Sequence, residues 1–296
     1  MRYKAHDTFI APAHARPQIW RLVLGILLIC AVAVLWIIAL FALVYLMAGV
    51  EGGPDWIARM SRADTPTSAL LVIATLWGLG VGTLLVTPLL HKRSAWTLFG
   101  PLRPMRRQFL LAALVAAVLM AASALIPYSF QARPGLDHGL WLSFLPLSLV
   151  IILGQTGAEE LFFRGYLQQQ LAARFNTPLV WMLLPALLFG MAHYDPSSGS
   201  LVSWLIVSAT GLFGLLAADL TARTGSIGAA WGFHFANNIA AILVLSMGGT
   251  LSGLALYTAP IGLTDASTFI PLLLRDMATT VVIWAAIRWT LTRHRS

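Results

Sequence analysis

The chain has 296 residues, of which 58% are hydrophobic and only 10% charged, with a formal net charge of +8. Soluble globular domains carry roughly 25% charged residues, so this balance excludes a soluble enzyme and describes a polytopic membrane protein. The single cysteine, Cys30, excludes an intramolecular disulfide and a thiolate metal cluster.

In chain order, residues 1–18, with His6, Pro12, His14 and Pro17, read as a polar cytoplasmic tail without a core of its own. Residues 19–296 read as a single transmembrane domain. Eight apolar stretches follow, at Ile19–Met47, Ala69–Leu90, Gln108–Pro127, Trp141–Gln168, Leu179–His193, Leu201–Ala218, Ile227–Met247 and Phe269–Thr290. Each is near the ~20 residues that a helix needs to cross ~30 Å of hydrocarbon. The expected fold is therefore all-α, a polytopic membrane helix bundle of about eight transmembrane helices. Membrane β-barrels show short alternating strands instead. The first stretch is too long for a signal-peptide core and is expected to remain in the mature protein. Cys30 within it reads as a small apolar side chain packed in the helix. Glu51 to Ser68 reads as an external loop, and Arg93 to Arg107 as a basic internal one.

The basic residues fall on alternate connections. Arg2, Lys4, Arg16, Arg21, Lys92, Arg93, Arg103, Arg106, Arg107, Arg164, Arg174, Arg223, Arg288, Arg293 and Arg295 lie on one side, and only Arg59, Arg62, Arg133 and Arg275 on the other. The positive-inside rule then puts both termini in the cytoplasm of a plasma or inner membrane. The charge sets topology and offers contacts to anionic lipid headgroups rather than to nucleic acid. Arg275 lies near the outer interface, where its side chain can snorkel.

Three polar clusters interrupt the apolar runs between His138 and Met247. Ionisable residues at bilayer depth cost at least a few kcal/mol each and mark function. The first is Glu159-Glu160-Leu161-Phe162-Phe163-Arg164. Glu160 and Arg164 share a helical face and can pair, while Glu159 is rotated by about one hundred degrees and is free to face a polar cavity with Gln155. The second cluster, Phe189 to His193, lies at a depth similar to that of Glu159 across the Asn176-Thr177-Pro178 turn, so the two can meet. The third is His234 with its i+4 partner Asn238; Asn237 is the weaker candidate. His234 matches that depth only if the preceding hairpin extends beyond the membrane, as the polar run Gly165 to Asn176 allows. The segment Tyr194 to Ser200 would then lie inside the protein.

Two chemistries suit these residues. In one, Glu159 and His193 orient and deprotonate a water, and His234 and Asn238 donate hydrogen bonds to the oxyanion. In the other, Glu159, His193 and His234 hold a divalent metal such as zinc, with an open position for water. Both give hydrolysis. No H-E-x-x-H, G-x-S-x-G or G-x-G-D pattern occurs, and Asp195 reads as a loop or helix-end residue.

The motifs EExxxR, FxxxH and HxxxN, all intact over about residues 141–247, resemble those of the CPBP family of intramembrane proteases, the type II CAAX prenyl endopeptidase-like or Abi family. The resemblance implies that Glu159, His193, His234 and Asn238 form the catalytic set, with Glu160 and Arg164 in support. It also implies a site within the membrane that is reached from the cytoplasm. Members are described as metalloproteases in some treatments and as glutamate-dependent in others, so a zinc-dependent and a metal-free reading both stand. The expected partners are a membrane-associated peptide or protein substrate and the lipid bilayer, with no nucleic acid. Two rival readings are a transporter with Glu159 as its proton or cation site and a non-catalytic scaffold or immunity protein of the same fold.

Overall fold

The computed structural model describes residues 3–127, 130–247, 251–261 and 265–293, with no side chain described for Thr292 and Arg293. Arg2 and Arg295 of the charge pattern lie outside the described residues, as does the side chain of Arg293.

Apolar runs this long leave the backbone no partner in hydrocarbon, so each closes its hydrogen bonds within itself as a helix. Helix α1 (Lys4–Ile10) precedes α2 (Ile19–Arg62), α3 (Pro66–Thr75), α4 (Trp77–His91), α5 (Leu102–Ala124) and α6 (His138–Glu160). The last continues through a π-helical segment, Leu161–Gln168, into α7 (Gln169–Arg174). A π turn at Leu179–Leu183 leads into α8 (Leu184–Met191), followed by α9 (Ser200–Thr224), α10 (Gly228–Ile239) with a π turn at Ala240–Val244, and α11 (Ala266–Arg293). Among the described residues, six helical segments are long and apolar enough to cross a membrane. The shorter Leu179–Met191 and Gly228–Val244 complete the bundle of about eight. Outward-facing Leu27, Leu35, Leu46, Leu110 and Leu114 form the apolar exterior that lipid requires.

Several expectations are corrected. Residues 4–13 are not a free tail: α1 and a 3-10 turn, Ala11–Ala13, bury Phe9, Ile10 and Ala13 against α7 and α9. Apolar side chains at 9, 10 and 13 supply that docking face. Residues 51–62 are helical rather than a loop. α2 breaks only at Gly49, whose φ of 75° glycine alone adopts readily. The last three residues of the stretch Ile227–Met247 form strand β2 (Leu245–Met247). It pairs in parallel with β3 (Tyr257–Ala259), which pairs antiparallel with β1 (Arg133–Pro134). Cys30 is exposed on the outer face of α2 rather than packed. The guanidinium of Arg275 binds the carbonyls of Ser123, Ile126 and Pro127 at the end of α5, where a cation suits the helix dipole.

Small residues set how closely the helices pack around the second half of α6. A Cβ on Gly80 would come within 3.0 Å of Ala158 Cα, and one on Gly157 within 2.7 Å of the Trp231 ring. Gly228 and Gly232 of α10 lie directly on the carbonyls of Met105 and Phe109 in α5. These contacts bring α4, α6 and α10 together at Glu159 and His234.

Candidate active site

α6 ends at Glu160, where the backbone changes to π-helical geometry; such segments recur at functional sites. Arg164, inside that segment, is buried to 1% exposure. Its Nη1 lies 3.1 Å from Glu160 Oε1 and its Nη2 donates to the Gly214 carbonyl of α9. The rings of Phe163, Phe189 and Phe213 surround the guanidinium, Phe189 at 4.8 Å. Arg164 therefore neutralises and positions Glu160, as its spacing predicts, and belongs to the site rather than to the topology charges.

His234 is gripped by both carboxylates. Its Nδ1 lies 2.8 Å from Glu160 Oε1 and its Nε2 3.4 Å from Glu159 Oε2. Glu160 thus holds His234 as well as Arg164, a contact that helical spacing within one segment does not reveal. The tight approach of Gly157 to Trp231 fixes the register, and the Trp231 indole donates to Leu153 O and Thr156 Oγ1.

The expected depths are corrected in the same way. π turns place more residues in each turn than an α-helix does, and they shorten both arms of the hairpin, at Leu161–Gln168 and at Leu179–Leu183. Glu159 meets His234 instead of His193. Gln168 and Gln169, in the hairpin's polar run, are buried beneath α1, Gln169 Nε2 donating to Phe9 O and Thr97 O. Tyr194 to Ser200 is largely exposed rather than interior. Asp195 caps the turn there, and its bonds to Ser197 and Ser198 lower its pKa.

His193, at the end of α8, is exposed and its Nδ1 donates to Phe189 O at 2.8 Å. Because a carbonyl only accepts, the proton sits on Nδ1, and Nε2 of the neutral ring is left as an acceptor. Phe189 lies against both histidines, at 4.9 Å from His193 and 5.8 Å from His234. The phenylalanine of the second motif therefore touches Arg164 and both rings, a role absent from the sequence reading. Asn238 donates to Gln155 Oε1 at 2.9 Å, so Gln155 orients Asn238 rather than Glu159.

A cavity of about 130 Å³ joins these groups, lined on its polar side by His193, His234, Asn237, Asn238, Thr210, Asp276 and Thr280. That is several times the roughly 10–15 Å³ needed to admit a water. Glu159 is not on its wall: Oε2 is enclosed behind His234, while about 10% of the side chain stays exposed. Asp276 and Asn237 are the cavity residues that the sequence reading passed over or ranked lower. The signal available for Asp276 was a carboxylate inside an apolar run.

Glu159, His193 and His234 do not converge as ligands. Among the described residues, no group of three His, Cys, Asp or Glu is arranged to hold a metal ion.

Residues 140–240 match the family model described as Type II CAAX prenyl endopeptidase Rce1-like. The matched segment carries Glu159, Glu160, Arg164, His193, His234, Asn238 and all but four residues of α10 with its π turn. The uncharacterized protein YyaK of Bacillus subtilis (strain 168) is 29% identical over 245 residues, which cover 79% of this chain and 80% of that protein. No solved structure matches the chain.

Proposed function

We propose that this integral membrane protein, whose residues 140–240 carry a type II CAAX prenyl endopeptidase Rce1-like domain, is an intramembrane endopeptidase that hydrolyses a peptide bond in a lipidated or hydrophobic substrate. The observation that carries the reading is the His234 imidazole, set between Glu159 and Glu160 and opening onto a cavity that His193 and Asn238 also line.

Both partners of His234 are carboxylates, which only accept, so a ring nitrogen that bonds one of them does so through its N–H; Nδ1–H is committed to Glu160, and Nε2–H is left for Glu159 or for an incoming oxyanion. His193 Nε2, which lines the cavity, takes a proton from the attacking water, and Glu159 acts from behind by holding His234 in place. The hydroxide oxygen bonds to the scissile carbonyl carbon, and the negative charge formed on the carbonyl oxygen is met by His234 Nε2–H and the Asn238 amide. Collapse breaks the C–N bond, and His193 returns its proton to the leaving amine. This sequence needs no metal. Both termini, α1 and the exposed basic connections would then lie on the cytoplasmic side, from which substrate reaches the site.

The test is cleavage of a quenched library of lipidated and hydrophobic peptides by detergent-purified protein. Glu159→Gln and His193→Ala each lose about 10²–10⁴-fold in rate while keeping the unfolding temperature of the parent protein, and chelation leaves activity intact. Full activity in both variants overturns the assignment. Stoichiometric zinc that disappears in Glu159→Ala overturns the metal-free sequence. Proton-coupled uptake into proteoliposomes without cleavage would instead support a transporter.

A further inference from the structure

Asp276 stands on α11 in a row that otherwise faces the bundle. Phe269, Leu272, Thr280, Ile283 and Ile287 recur at helical spacing and are all buried, and residue 276 falls on the same stripe. Leu274 and Val282, on other faces, are exposed to the lipid side. Asp276 is nonetheless exposed, because its side chain borders the cavity it shares with His193, His234 and Asn238.

A carboxylate in a membrane interior is costly unless it has a partner. Every other acidic side chain of the bundle interior has one: Glu159 and Glu160 have His234 and Arg164, and Asp219 has Tyr3, Arg223 and Trp284. Asp276 has no hydrogen bond or ion pair among the described residues. The adjacent Arg275 does not supply one, since its guanidinium is turned to the carbonyl end of α5. Of the other polar groups on the wall, Thr210, Thr280, Asn237 and Asn238 are neutral, and the His193 and His234 rings are bonded to Phe189 O and Glu160 instead. What remains unmet is a cation, and the open side of the cavity is where one can arrive.

We propose that Asp276 selects substrates that place a lysine or arginine side chain beside the scissile bond, by pairing with that cation inside the cavity. This rests on the endopeptidase reading above and names the class of peptide it takes. Asp276 is a specificity residue, and the hydrolytic steps do not run through it.

The test separates the two layers. Binding is measured first, in the Glu159→Gln background so that nothing is turned over, with fluorescent hydrophobic peptides that differ only in Lys, norleucine or Glu at one position. The expected result is at least about tenfold tighter binding of the Lys peptide than of its norleucine twin, about 1.4 kcal/mol. That preference disappears in Asp276→Asn, survives in Asp276→Glu and inverts toward the Glu peptide in Asp276→Lys. Equal affinities, an unchanged preference in Asp276→Asn, or no binding of any peptide by folded protein overturns the proposal. Cleavage by the parent chain is then compared for the same peptides. A Lys preference in binding without any Glu159-dependent cleavage would sink the endopeptidase reading and leave the cation subsite standing. Cleavage that ignores the Lys side chain would do the reverse.

Discussion

Arg164 shows how much one residue can carry in a low-dielectric interior. It neutralises Glu160, reaches across to Gly214 O and fills a cage of three phenylalanines. Removing one member of a buried ion pair leaves the other uncompensated, a loss of about 3–5 kcal/mol. Arg164→Met should therefore lower the unfolding temperature sharply, and Glu160→Gln in the same chain should restore part of it. An unfolding temperature equal to that of the parent protein in Arg164→Met would show that the pair is not structural. Arg164→Lys is not a conservative change here, because an ammonium lacks the planar face and the fork that meet the rings and the two acceptors. At this scale the sequence was legible only within one helix. The Glu160–Arg164 pair follows from i,i+4 spacing, whereas the second bond of Glu160, to a histidine seventy-four residues away, depends on how two helices pack.

Helix α1 is the element on which the sequence reading and the structure differ most. A short segment with two prolines and two histidines looks like a solvated tail, and what docks it is tertiary. His6 lies on Trp181 at 4.4 Å with Gln168 Nε2 3.5 Å from its Nε2, and Tyr3 donates to Asp219. Burial lowers the His6 pKa from 6.5 to about 4, with Asp7 opposing. The folded state therefore holds the proton less well than the unfolded chain. Its contribution is complete above about pH 6.5 and is lost as pH falls from 6.5 toward 4, on the order of 3 kcal/mol at most. A spin label at Thr8→Cys in a Cys30→Ser chain should become mobile over that interval, and His6→Phe should remove the transition. A label whose mobility is the same at pH 7 and pH 4.5 would show that His6 does not govern docking. The π segments are the second feature of this scale that residue types did not announce. They shorten both arms of the hairpin, the one that carries Glu159 and the one that carries His193.

For the whole molecule, the close approaches of Gly225 to Ala5 and of Gly100 to Gly225 gather α1, the α4–α5 connection and the α9–α10 turn at one end. The three short strands, with Arg133, cap the other. If the basic end is cytoplasmic, a membrane-impermeant maleimide should label Ala132→Cys in right-side-out vesicles and reach Ser94→Cys only after permeabilisation, both in Cys30→Ser. The opposite pattern would invert the topology and move access to the site to the outer face. The sequence alone determined that the chain is a helical membrane bundle, because hydrophobicity and helix length are local properties that the bilayer reads directly. It also marked the buried charges that need partners, because a charge in hydrocarbon is too costly to be left unpaired. Only the tertiary structure decided who meets whom: His234 rather than His193 at Glu159, Gln155 at Asn238, Phe189 among them, and Asp276 on the cavity wall. Those pairings depend on glycine-set helix spacings and π turns that act between segments, and no periodicity within one segment encodes them.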